Sequence, residues 1–155
     1  MKKVFVLLSF LLLATIAGAQ VKKNDAGLYV DADGRLYTGE LENKEDGIIT
    51  WEINIVAGLP QGDATYYYKT GKMMETGYFQ AGKMDGKWLR YNESGLLIGM
   101  AIYKDGKKDG TWMVWDDKGK KRFETHYNNG EKSGVWSNWD ENGTLIASKD
   151  YSAVN

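Results

Sequence analysis

The chain has 155 residues, 20 basic and 21 acidic side chains, and no cysteine. That balance offers no polybasic surface for nucleic acid, and the missing thiols exclude a disulfide framework, a zinc–thiolate cluster and a cysteine nucleophile. Nineteen glycines, six tryptophans and ten tyrosines against a single proline point instead to strands separated by glycine turns.

The chain opens Met1-Lys2-Lys3, runs apolar over 4–17, and reaches Ala17-Gly18-Ala19 before Gln20. A positive start, a short apolar run and small residues at its end read as a signal peptide, residues 1–19, cut after Ala19. The run is shorter than the roughly 20 residues that cross a bilayer, so no integral membrane segment is expected after cleavage. The expected location is outside the cytoplasm, periplasmic or extracellular. Residues 20–26 are polar and read as a flexible leader. Residues 27–42 alternate apolar and polar side chains around Asp31-Ala32-Asp33-Gly34, an opening hairpin, and residues 48–56 form the strongest β segment. Gly34 and Gly47 fall in the frame of the repeat that follows. Residues 27–57 therefore read as an N-terminal cap or degenerate repeat. From Gln20 through Ala57 there are four basic and eight acidic residues, so this end is acidic.

Residues 58–155 hold four units of 24 residues, 58–81, 82–105, 106–129 and 130–153, with no insertion between them. Glycine returns at the first, fifth and fourteenth places: Gly58, Gly62 and Gly71, then Gly82, Gly86 and Gly95, then Gly106, Gly110 and Gly119, then Gly130, Gly134 and Gly143. Glycine in such register marks backbone that needs positive φ. Between the glycines lie two runs of strand length, one holding Trp88, Trp112 and Trp136, the other ending on Phe79, Tyr103, Tyr127 and Tyr151. Short connections such as Asn92-Glu93-Ser94-Gly95 read as type I turns closed by a left-handed glycine, so each unit is a β-hairpin. The connection 104–110 reads as the longer link between hairpins. The fold class is all-β: tandem β-hairpin repeats forming an elongated antiparallel meander that grows about 10 Å per unit.

If four-residue turns set the register, Tyr91 pairs near Leu96, and Trp88, Trp112 and Trp136 lie opposite Gly99, Phe123 and Ala147. One face then carries the tryptophans with the Phe79, Tyr103, Tyr127 and Tyr151 row. The other carries Leu89, Tyr91, Ile98, Met100 and Ile102, beside Met113 and Trp115, an apolar patch large enough to mark an interface. These seven residues are the candidate partner-binding set. The partner is an unidentified protein or a second copy of the chain, with a glycan stacked on the aromatic face as the alternative.

The pattern Y-x-x-G-x-x-x-G-x-W, seen through Tyr103, Gly106, Gly110 and Trp112 and again through Tyr127, Gly130, Gly134 and Trp136, resembles the MORN repeat. More closely it resembles the bacterial variant found in the YwqK family of antitoxins. Phe79, Gly82, Gly86 and Trp88 fit with phenylalanine in the tyrosine place, while the first unit has Ala64 where tryptophan is expected. The resemblance implies a hairpin-repeat fold and an antitoxin-like role, neutralisation by direct binding.

Catalytic chemistry has little to work with. His126 is the only histidine and falls in an expected strand. The Asp31-Ala32-Asp33-Gly34 turn with Glu40 resembles half of a calcium loop, but Tyr29 would take the first ligand place, and the acid-rich turn recurs at each hairpin to satisfy turn amides. Lys118, Lys120, Lys121 and Arg122 form a basic cluster that strand alternation would split between two faces. No enzyme, metal or cofactor is expected.

Overall fold

The computed structural model describes residues 14–16 and 19–152, and its regular structure there is all β. Most of the expected signal peptide lies outside the described residues. Three short strands, β1 (Ala14–Ile16), β2 (Ala19–Lys23) and β3 (Tyr29–Val30), pair in order as a small sheet. The second sheet is an antiparallel meander. It takes β4 (Gly39–Glu45), β5 (Ile48–Val56), β6 (Leu59–Tyr67), β7 (Met73–Gln80), β8 (Lys83–Tyr91) and β9 (Leu97–Lys104) in chain order, and then β11 (Gly110–Trp115), β12 (Lys121–Asn128), β13 (Glu131–Trp139) and β14 (Leu145–Asp150). The two-residue β10 (Lys107–Lys108) pairs with β9 just ahead of β11.

Two kinds of turn alternate along it. All twelve repeat glycines named above have positive φ. Between units the chain reverses in two residues, Ala57-Gly58, Ala81-Gly82, Asp105-Gly106 and Asn129-Gly130, with both members left-handed (52° and 80° at Asp105 and Gly106). These are type I′ turns, whose twist matches the flanking strands. The long 104–110 link expected from the sequence is therefore a tight turn, with strand resuming at Lys107. Gly110 is no turn residue: with Gly62, Gly86 and Gly134 it belongs to bulged strand, and the ladder slips opposite Gly86 between Thr76 and Tyr78, and opposite Gly134 between Glu124 and His126. The side chain in the fourth place of the unit secures the turn after the next strand. Asp85 Oδ2 accepts from the Asp105 amide at 3.1 Å, and Asp109 Oδ2 from the Asn129 amide at 3.0 Å.

The hairpin tips repeat a different motif. Asp116 Oδ1 accepts from the amides of Lys118 and Lys120 at 2.9 and 3.0 Å, and Asn92 and Asp140 do the same in their units. Asp31 uses this geometry too, its Oδ1 taking the amides of Asp33 and Arg35 at 2.9 Å. The acidic turn is thus an Asx turn.

Three expectations are corrected. The tip is longer than four residues, because the Asn92 amide reaches the Leu96 carbonyl and a bulge follows, so Tyr91 pairs with Leu97 and Arg90 with Gly99. Trp88, Trp112 and Trp136 consequently pair with Ala101, Thr125 and Lys149, not with Gly99, Phe123 and Ala147. At the tryptophans the slip is two residues, an even number, so their side chains and those paired with them keep the expected faces, while between bulge and tip it is one. The supposed leader 20–26 is strand through Lys23, with Val21 fully buried; one valine among polar neighbours carries no periodic signal, yet in a strand it is enough to face a core. In the cap the frame glycines exchange jobs: Gly34 closes an Asx tip, and Asp46-Gly47 makes the two-residue turn. The cap keeps the glycine spacing without the unit's turn order.

The core sits at the N-terminal end of one face. Val21, Leu41, Ile53, Ile55, Ala64 and Trp88 form it, with Tyr29, Tyr66, Phe79, Met84 and Tyr103 packed around. From there an aromatic ladder runs the length of the array: Phe79, Trp88, Tyr103, Trp112, Tyr127, Trp136 and Tyr151, with neighbouring ring centroids 4.9–6.4 Å apart.

Candidate binding surfaces

Strand pairing lays one residue per strand in ranks across the sheet. On the face away from the tryptophans one rank reads Glu42, Glu52, Thr65, Thr76, Leu89, Met100, Met113, Glu124, Ser137 and Ser148. Three consecutive strands, β8, β9 and β11, thus bring Leu89, Met100 and Met113 side by side, with polar side chains on both flanks. Ile102 stands one rank away opposite Lys87, against Gly110, where an added Cβ would come within 3.4 Å. Tyr91, Ile98 and Trp115 sit at the strand ends beside the tip bulges. All seven residues are half-buried, and the described core lies on the opposite face.

At the N-terminal end this face is acidic. Glu40, Glu42, Glu52, Asn54, Asp63 and Thr65, on β4 to β6, line an open cleft of about 400 Å³. Glu52 accepts from the Tyr67 hydroxyl at 2.8 Å and Glu42 pairs with Lys44 at 2.6 Å, so two of the carboxylates are already engaged. The cleft was not among the sequence expectations, although Glu40 and Glu42, like Glu52 and Asn54, stand two apart on one strand and so share a face.

His126 is a strand residue, as expected, with both ring nitrogens near partners. Thr111 Oγ1 lies 3.2 Å from Nδ1, and Glu124 Oε1 lies 3.4 Å from Nε2. The basic cluster is tied into its surroundings. Lys121 pairs with Glu124 at 2.7 Å and stands over the Trp139 ring, Arg122 donates to the Trp139 carbonyl at 2.9 Å, and Lys120 reaches the Glu141 carbonyl. At the tips, the Lys120 and Lys118 amides and the Arg122 guanidinium hold the Asp116 carboxyl below its ordinary range, and the Thr144 amide above all does the same for Asp140. Burial raises Tyr29, Tyr66 and Tyr103 on the opposite face.

On the tryptophan face the ladder changes character along its length. Trp88 is 4% exposed and lies on Gly77, where any Cβ would fall 2.1 Å from the indole. Its Nε1 is buried without a hydrogen-bond partner among the described residues, whereas Trp112 and Trp136 donate theirs to the carbonyls of Ile102 and His126 at 3.0 and 2.9 Å. Past Tyr103 the rings are half-buried and lysines cover them. Lys108 Nζ stands 4.2 Å over Trp112 and 4.8 Å over Tyr127, Lys132 Nζ stands 4.3 Å over Trp136 and 5.0 Å over Tyr151, and Lys149 also caps Tyr151.

A solved structure described as "GtfA/B complex bound to UDP and GlcNAc" aligns at 8% identity with a TM-score of 0.33, over 88% of this chain and 24% of that one. The chain thus spans about a quarter of that chain's length. No curated protein matches. The family model described as "MORN repeat variant" matches residues 60–81 and 108–129. Both stretches run from the third to the last place of a 24-residue unit, so the MORN repeat variant stands at two places in a meander of like hairpins.

Proposed function

We propose that this chain is an exported, non-catalytic binding module whose protein partner docks on the face carrying Leu89, Met100 and Met113. The observation that carries the reading is that apolar row, three strands wide, on the side of the sheet away from the described core. Apolar surface centred in a polar rim is the usual anatomy of a protein interface. Export rests on the first nineteen residues. The resemblance to YwqK-family antitoxins gives the binding its form, neutralisation by direct contact, and export puts the neutralised partner outside the cytoplasm.

The test uses purified protein as bait in an envelope extract. Tyr91→Ala, Trp115→Ala and Met100→Glu should each lose the captured partner while keeping the wild-type melting temperature, because none of the three belongs to the core. Trp112→Ala should lower stability first. Capture that survives all three substitutions would end this reading. Mass spectrometry of the exported product should begin at Gln20, and a full-length cytoplasmic chain would end the export half of it.

A further inference from the structure

The third place of each unit stands opposite the large apolar or aromatic residue near the end of the strand before it: Pro60 opposite Ile55, Met84 opposite Phe79, Lys108 opposite Tyr103 and Lys132 opposite Tyr127. Under the cap this place is apolar, and Met84 packs into the core. Beyond the cap it is lysine, and each ammonium rests over two rings of the ladder. Lys108, Lys132 and Lys149 have no carboxylate within ion-pairing distance among the described residues, although acids are plentiful elsewhere in the chain. Beside them on this face stand Thr125, opposite Trp112, and, one rank nearer the hairpin tips, Val114, Phe123, Asn138 and Ala147, of which Val114 and Phe123 are each nearly half exposed. The C-terminal half of this face therefore combines cations with partly exposed rings, and no acid stands in those ranks.

We infer that this surface is a second binding site, for an acidic polysaccharide bearing a carboxylate on every second sugar and lying across the strands. Spacing and charge argue for that occupant together. Lys108 and Lys132 occupy the same place in consecutive units, two strand spacings or about 10 Å apart, which matches the rise of one disaccharide along an extended glycan. An ammonium held over a ring by cation–π attraction stays solvated on its outer side, where a uronate carboxylate can pair with it. The apolar faces of the sugars then lie on the exposed Phe123 ring and on the half-buried Tyr127 and Tyr151 rings. An acidic peptide or a phosphate-bearing surface supplies the charge without the stacking partner at that interval.

The experiment is calorimetric titration of the full exported chain with a hyaluronan oligosaccharide long enough to span Lys108 to Lys149. Three controls accompany it: the same oligosaccharide with its carboxyls reduced, polyglutamate, and vesicles of mixed neutral and anionic phospholipid. Binding of the hyaluronan alone is the expected result. The Lys108→Met, Lys132→Met double variant should weaken it about tenfold or more. Methionine already stands at this place as Met84, so that variant should melt with the wild type, which makes the loss one of recognition and not of folding. Equal binding of reduced oligosaccharide removes the role of the lysines. Equal binding of polyglutamate or vesicles shows a general anion surface, and no binding at all removes the site; each of these overturns the inference. The site lies on the opposite face from Leu89, Met100 and Met113, so Tyr91→Ala and Trp115→Ala should leave the titration unchanged.

Discussion

The aromatic ladder is one motif in two environments. Around Trp88 it is interior: the indole touches bare backbone at Gly77, its neighbours are Ile53, Ala64 and Met84, and Val21 completes the core from the small N-terminal sheet. Around Trp136 the same hairpin, with the same turn glycines, presents its rings to solvent beneath Lys132 and Lys149. The repeat thus specifies backbone and ring spacing, but not whether the rings are core or surface. That is decided by a few variable places, chiefly the third, where Met84 gives way to Lys108 and Lys132. In a repeat array each unit contacts only its neighbours, so burial has to be supplied from outside the repeat.

The largest expected effect breaks this comparison directly. Trp88→Ala removes a side chain from the centre of the core and should cost roughly 3–5 kcal/mol. Trp136→Ala removes a half-exposed ring and one hydrogen bond, and should cost about 1–3 kcal/mol. Urea unfolding of the two variants measures the difference; equal costs would mean that the cap does not make the N-terminal ladder a core.

A smaller effect comes from Gly77. The residues in its place one and two units on are Ala101 and Thr125, which carry a Cβ where Gly77 has none. Gly77→Ala should push Trp88 off the strand and cost about 1–3 kcal/mol by overpacking. A variant of wild-type stability would show that Trp88 can take up the posture of Trp112, indole N–H on the facing strand's carbonyl, and that its unpartnered nitrogen is no constraint.

The positive-φ glycines and the alternation of aromatics were legible in the sequence, because both are local demands written in residue identity. Face assignment followed from them. Register did not: whether Tyr91 pairs with Leu96 or Leu97 turns on one extra residue bulged beside the tip, and Gly95 alone does not encode it. Lys108 was hidden for a related reason. With Gly106 and Gly110 both read as loop glycines, 104–110 looked like a connection, and a lysine in a connection does not suggest a lid on Trp112. Val21 was hidden by isolation, since a single apolar residue becomes visible only once Leu41 and Ile55 are seen around it.

The smallest expected effect separates the two ends by acid. The tips of the last two units are built on Asp116 and Asp140, whose carboxyls are held low mainly by the Lys120 and Thr144 amides, whereas the unit before them uses Asn92 for the same two amide contacts. A depressed folded-state value fixes the sign. Above the ordinary aspartate value near 3.8 both carboxylates are charged, folded or unfolded, and the tip contributes fully; as pH falls through the lowered folded value, protonation withdraws that contribution. Asparagine keeps the oxygen that accepts both amides and cannot titrate. The Asp116→Asn, Asp140→Asn double variant should therefore unfold at nearly the wild-type urea midpoint at neutral pH, and lose less than the wild type when the measurement is repeated below about pH 3. An acid limb identical to the wild type would mean that the amides at these tips do not distinguish carboxylate from carboxamide, and that the acid sensitivity of the chain arises elsewhere.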